Sequence, residues 1–265
     1  CIRDRVFPVL ALSAGFLNRK DKSAQNNTDF SIFRKDRSFL NNPPIYDAAI
    51  NAVIAGFKLD FRDYIEDGYF RNRSSFGRSY TTFEGDLTHS NTDWLNSDLD
   101  FTTYRVYINS FTKTFRSAVL NIKLFGMYND GALPYQDMYA LPGNINLVSK
   151  SYTFRTLRVN EIFGERVATL NLEYNLRDEL FKLLKIPGLK DWEITLTLFF
   201  NTALTEIGSE SAELLPLEIQ TFNRPFYEIG FGIGQGIIPL QLEFAWKLNY
   251  RGSNNFVVSL NTFAF

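Results

Sequence analysis

From Leu240 to Tyr250 the chain alternates without interruption. Leu240, Leu242, Phe244, Trp246, Leu248 and Tyr250 take one side; Gln241, Glu243, Ala245, Lys247 and Asn249 take the other. Successive strand residues point to opposite faces, whereas helical neighbours recur three and four apart, so this is a strand pattern with one apolar and one polar face. Trp192 to Leu204 repeats it, with Ile194, Leu196, Leu198 and Phe200 against Glu193, Thr195, Thr197, Phe199 and Asn201. Arg166 to Leu176 sets Leu170, Leu172 and Tyr174 against Asn171, Glu173 and Asn175, and Phe226 to Gly234 sets Tyr227, Ile229, Phe231 and Ile233 against Glu228, Gly230, Gly232 and Gly234. Noisier alternation predicts strands near 5–18, 52–66, 79–90, 101–113 and 115–128, and a last strand over 255–265. The expectation is about ten strands, several of about 10–13 residues, against a globular mean of about 5–6. A tilted strand of about 9–11 residues crosses a bilayer.

Two architectures share this pattern. A soluble β-domain turns the apolar face into a core; a membrane barrel turns it to lipid and encloses the polar face. Composition narrows the field. Aromatics are 16% of the chain, yet mean hydropathy is −0.16 and net charge −1. That is too neutral for a nucleic-acid binder that works by its field and too apolar for a disordered chain. No apolar run is long enough for a membrane helix. A single cysteine, Cys1, and a single histidine, His89, argue against a disulfide framework and against thiolate or imidazole metal sites, so no metal and no cofactor is expected. Three features favour the barrel. Trp192, Tyr250, Tyr227, Phe226, Tyr128 and Tyr80 sit at strand ends, as an interfacial girdle requires. The glycines at 230, 232 and 234 would leave voids in a packed core. Long and short connections alternate. The expected fold is therefore all-β, a transmembrane antiparallel barrel over residues 1–265. If the C-terminus is periplasmic, the loops near 19–51, 91–100, 129–165, 205–225 and 251–254 are extracellular, and the short turns near 114 and 235–239 are periplasmic.

The longest loop carries Leu141-Pro142-Gly143-Asn144, then Phe154-Arg155-Thr156-Leu157-Arg158-Val159-Asn160-Glu161, then Gly164-Glu165-Arg166 leading into Leu170-Asn171-Leu172-Glu173-Tyr174. Downstream stand Ile186-Pro187-Gly188-Leu189-Lys190-Asp191-Trp192 and Tyr227-Glu228-Ile229-Gly230-Phe231-Gly232-Ile233. Over about 140–265 this resembles the C-terminal half of the outer-membrane assembly-factor superfamily, whose best-known members are BamA and TamA. Its wording is closest to the Bacteroidota barrels that carry a carboxypeptidase-like regulatory domain. The resemblance implies a sixteen-stranded barrel of which these would be strands 7–16. With the lack of a signal-peptide pattern, that suggests a C-terminal portion of a longer protein, or else a lipoprotein acylated at Cys1. It also implies a non-enzymatic role in membrane-protein assembly or translocation in the bacterial outer membrane. Expected partners are outer-membrane lipid and lipopolysaccharide, client β-barrel or surface proteins and other subunits, and no nucleic acid. A passive pore or structural subunit is the alternative.

The family's long loop plugs the lumen with an Arg-Gly-aromatic tip. Here the Gly is missing, so the tip arginine is Arg155 or Arg158, flanked by Phe154 and Glu161. The polar phase supplies lumen carboxylates Glu173, Glu193, Glu228 and Glu243, one on each of four successive strands. A loop arginine could bond one of them bidentately; the competing reading is that all four are simply solvated. The resemblance also implies a weak lateral seam at the last strand, carried by Phe256, Val258, Leu260, Phe263 and Phe265, the terminal Phe serving as export signal. An omptin-like hydrolase would need an Asp–His pair, and Asp86 and Asp93 lie near His89 without any specific tie to it. Asp178 to Leu184 reads as a short amphipathic segment lying in the interface, or as an ordinary turn.

Overall fold

The computed structural model describes residues 2–5, 9–23, 45–67, 70–74, 78–144, 148–149, 152–185, 192–216, 218–235 and 238–261. Among the described residues, nine strands of 10–13 residues and a tenth of six form an antiparallel meander: β1 (Leu10–Asp21), β2 (Ala48–Asp60), β3 (Tyr80–Ser90), β4 (Phe101–Lys113), β5 (Val119–Gly131), β6 (Arg166–Arg177), β7 (Ile194–Glu206), β8 (Phe226–Gln235), β9 (Ile238–Lys247) and β10 (Phe256–Asn261). Each pairs with the next in chain order. Among the described residues two short segments join the sheet. Ile2–Arg5 pairs antiparallel with β1, and Val148–Ser149 pairs parallel with β10. The described pairings run from one edge to the other and do not close.

The expected strand over 5–18 is divided. Ile2–Arg5 folds back on β1, with Pro8, which has no N–H for a ladder, in the chain between them. The strand expected over 52–66 ends at Asp60, whose carboxylate accepts from the backbone N–H (3.1 Å) and Nε (2.9 Å) of Arg62. This local turn competes with the ladder, and a separate hairpin, Asp63–Asp67 with Phe70–Ser74, follows.

The two faces are inverted relative to a soluble β-domain. Ile229, Leu242 and Leu260 are 45%, 41% and 50% exposed, while Glu228 and Glu243, on the opposite face of the same sheet, are 0% exposed. The same holds along the sheet: Leu12, Phe16, Phe57, Tyr104, Leu124 and Leu198 are exposed, while Thr103, Asn129, Asn171 and Asn201 are buried. Alternation explains this, since moving one residue along a strand changes face. No described helix is long and apolar enough to cross a membrane.

An apolar core nonetheless exists, on the buried side at the end that carries the long loops. Leu133, Met138, Leu141, Phe154, Leu157, Ile162 and Phe222 from the loops pack with Ile50, Phe101, Phe125, Met127, Val167 and Phe226 from the strands. Phe226 is therefore not a girdle aromatic; its ring is buried and stacks on Phe222 at 4.7 Å. The long loop crosses to the far strands, where Asp137 accepts from Arg19 (2.6 Å) and Gln136 donates to Asp21 (3.1 Å).

Candidate functional site

The 132–165 loop folds back against the buried face of β6 to β9 and delivers one arginine to it. Leu141-Pro142-Gly143-Asn144 builds the approach. Gly143–Asn144 pairs with Phe154–Arg158, and a Cβ on Gly143 would stand 2.2 Å from the carbonyl oxygen of Arg158, so only glycine fits. Asn144 donates through Nδ2 to the Arg155 carbonyl (3.3 Å) and accepts from the Thr153 hydroxyl (2.9 Å).

Arg155 has no exposed side-chain surface. Nε and Nη2 donate to the two carboxylate oxygens of Glu243, each at 3.1 Å; Nη2 also donates to Glu173 (2.8 Å) and Nη1 to the Thr153 carbonyl (2.9 Å). The guanidinium lies 4.1 Å from the centroid of the Phe199 ring. Four of its five N–H donors are thus engaged, in the planar fork that suits a carboxylate. Glu228 holds the loop by its backbone. It accepts from the N–H groups of Arg155 (3.1 Å) and Thr156 (2.6 Å), and from the Asn201 amide (2.7 Å). Glu173 likewise accepts from the N–H of Tyr152 at 2.9 Å.

Register places these partners on one level, with Glu173 opposite Phe199, Phe199 opposite Gly230 and Gly230 opposite Ala245. Gly230 is required there, since a Cβ would sit 2.2 Å from both Phe199 Cζ and the Phe244 carbonyl oxygen. The close neighbours of this strand glycine are thus the ring beneath the arginine and the adjacent strand. Burial disfavours the charge on Arg155, and Glu173 and Glu243 more than offset it, so its pKa is raised. The guanidinium is a permanent cation.

Arg155 and not Arg158 is therefore the arginine that reaches the carboxylates. Arg158 is exposed, and its backbone N–H is capped by Glu161 at 2.7 Å in the turn that ends the segment. Phe154 is fully buried against Phe226 at 5.8 Å. Of the four glutamates, Glu173, Glu228 and Glu243 converge, and Glu193 does not. It is exposed, with φ of 50°, in the turn before β7. Six residues from Phe199, it stands about 20 Å away along the strand.

At the last strand, Phe256, Val258 and Leu260 lie on the outward face, and Phe256 packs on Trp246 at 5.0 Å. Ser259 and Asn261 face inward, buried, and Asn261 donates to Glu243 at 2.8 Å. Phe263, Phe265 and Cys1 lie outside the described residues, as do the 186–191 motif and most of the 19–51 loop. His89 bonds Thr102 through Nδ1 (2.9 Å) and stacks on Trp94, whereas Asp86, three positions away on the other face, pairs with Arg105 at 3.5 Å.

Sequence reasoning missed Asn201 and Phe199, although both share the polar phase of β7, and did not assign Asn144 its role. It also missed Glu165, the acid of the Gly-Glu-Arg motif. Glu165 is 2% exposed and accepts from Asn129 Nδ2 (3.1 Å), the Gly208 N–H and the Ser211 hydroxyl, tying the long loop to the 207–225 loop. Among the described residues no three His, Cys, Asp or Glu side chains are placed to hold a metal ion. No protein-family model matches the chain, and no curated protein matches it.

Proposed function

We propose that this chain forms part of a transmembrane β-barrel of the bacterial outer membrane, of the protein assembly and translocation superfamily, acting without covalent chemistry. The inverted sheet carries this reading: apolar side chains exposed on one face, and ionised side chains buried on the other around a folded-in loop. In water such an outer face would be an aggregation surface; in a bilayer it is the face that lipid demands. The Arg155 cluster supports a plugged lumen, because it anchors the loop to all four of the strands β6 to β9 through side chains and backbone together.

The last strand supports a weak seam. Ser259 and Asn261 on β10 offer little apolar contact, and the edge of β10 that would meet the first strand of the barrel takes only Val148–Ser149, at Leu260 and Asn261, among the described residues. Such an edge is a template for strand addition by a client. Its neighbours would then be outer-membrane lipid and lipopolysaccharide on the apolar face and client strands at the seam.

Two measurements test this. The full chain is expected to insert into lipid bilayers with low conductance that rises when 145–160 are deleted; unchanged conductance would overturn the plug. A disulfide locking the first strand of the barrel to the last is expected to abolish assembly of client barrels, and full activity in the locked protein would overturn the seam. A rise in conductance on loop deletion together with full activity when locked would instead mark a passive pore.

A further inference from the structure

At the sheet end opposite the apolar core, four large apolar side chains stand exposed outside the strands. They are Phe115 (52%), Leu183 (59%), Leu184 (57%) and Trp192 (66%). Phe115 lies in the 114–118 turn between β4 and β5. Leu183 and Leu184 close the short helix Glu179–Leu184 after β6, and Trp192 precedes β7. Turn and helix are fastened to each other, since Glu179 accepts from the Ser117 hydroxyl (2.6 Å) and N–H (3.3 Å) and lies 3.6 Å from Arg116. Tyr174, on the outward phase of β6, accepts from Thr114 at 3.1 Å and joins this ledge to the apolar outer face.

The charges around the ledge are sorted by sign. Glu179 is buried against the 114–118 turn, and Asp178, with 17% side-chain exposure, is bonded to Lys182 at 2.7 Å. Lys113, Arg116, Arg177, Lys182 and Lys185 are exposed, against Glu193 alone among the described acids of these segments. Arg116 lies over the Phe115 ring at 5.1 Å. Apolar tips ringed by cations on long flexible stems match the boundary between acyl chains and anionic headgroups, where the stems lie along the apolar region and the charges reach outward.

We infer that this ledge is a binding surface for anionic phospholipid. Phe115, Leu183, Leu184 and Trp192 enter the acyl–headgroup boundary, and Arg116, Lys182 and Lys185 hold the headgroup phosphates. The inference rests on the membrane reading above and deepens it by naming a lipid class and the rim that selects it. It also accounts for exposed apolar residues that lie beyond the strands.

The test uses the full chain in nanodiscs of phosphatidylcholine with a minority of phosphatidylglycerol, with retained lipid measured by native mass spectrometry. Phosphatidylglycerol is expected to be enriched over the bulk mixture. Each of Arg116→Gln, Lys182→Gln and Lys185→Gln should reduce that preference about fivefold at low salt, the equivalent of about 1 kcal/mol per charge near an anionic surface, and added salt should erode it. With Trp94 and Trp246 replaced by Phe, brominated lipid should quench Trp192. Normal insertion without enrichment, or a triple variant as selective as the parent, would overturn the inference. Normal insertion with Trp192 unquenched would also overturn it and point to a protein occupant. Failure to insert at all would remove the membrane reading itself, a distinct result.

Discussion

Two sets of ion pairs on the buried face of the sheet differ in kind. On β2 to β4, Lys58 pairs with Glu84 and Arg105 with Asp86, at side-chain exposures of 26%/41% and 33%/30%. Toward β6 to β9, Arg155 pairs with Glu173 and Glu243 at 0%/7% and 0%/0%. Composition does not separate them, because the carboxylates of both lie on the polar phase of alternating strands. The long loop does. Over β6 to β9 it lies directly on the strands; over β2 to β5 it leaves a cavity of about 270 Å³, bordered by Lys58, Arg62, Tyr80, Glu84, Asn121 and Tyr152. A half-exposed pair is worth little because water and salt screen it. A fully buried pair costs much to break because the remaining charge is stranded. The same chemistry on one face is therefore an anchor in one half and solvated lining in the other.

The contrast is most easily broken at the arginine. Arg155→Ala should destabilise the protein by about 3–5 kcal/mol, since it leaves Glu243 and Glu173 buried without a cation. The shift in urea midpoint after refolding into detergent micelles reads this, and a loss below about 1 kcal/mol would erase the distinction. Combining Arg155→Met with Glu243→Gln should cost less than the sum of the single changes, because the two groups share one network.

Next in size is Gly230→Ala, which forces the Phe199 ring from beneath the guanidinium. A cost of about 1–3 kcal/mol is expected from overpacking, with faster proteolysis of the 145–160 segment as the second readout. Lys58→Ala tests the other half and should cost less than about 1 kcal/mol; an effect equal to that at Arg155 would show that loop coverage is not what separates the halves. Smallest are Arg158→Ala and Glu193→Ala, each expected within about 0.5 kcal/mol of the parent. A large loss at Arg158 would return it to the buried carboxylate cluster.

Much of this was legible before any coordinates. The run from Leu240 to Tyr250 required a strand, and its neighbours required a two-faced sheet, because side-chain direction in a strand depends only on parity. The polar phase also identified Glu173, Glu228 and Glu243 as inward-facing. The same rule misplaced Glu193, because parity gives the face but not the height along the strand or where the strand begins. Phe226 was misread for a related reason: an aromatic at a strand end suits an interface, but its phase pointed inward, toward Phe222 and Phe154 of two different loops. Glu165 gave no signal, since its donors Asn129, Gly208 and Ser211 lie up to 46 residues away.

What the sequence determined by itself was therefore what is periodic: about ten alternating strands, with one apolar and one polar face, joined by a long loop with two candidate arginines. What only the tertiary structure decided was which loop arginine meets which carboxylates, and which face of the last strand is outward. Arg155 and Glu243 are 88 residues apart, and their meeting depends on register across four strands and on the fold of the loop. Alternation is a local property of the backbone, whereas a buried ion pair exists only where the whole chain brings both charges out of water together.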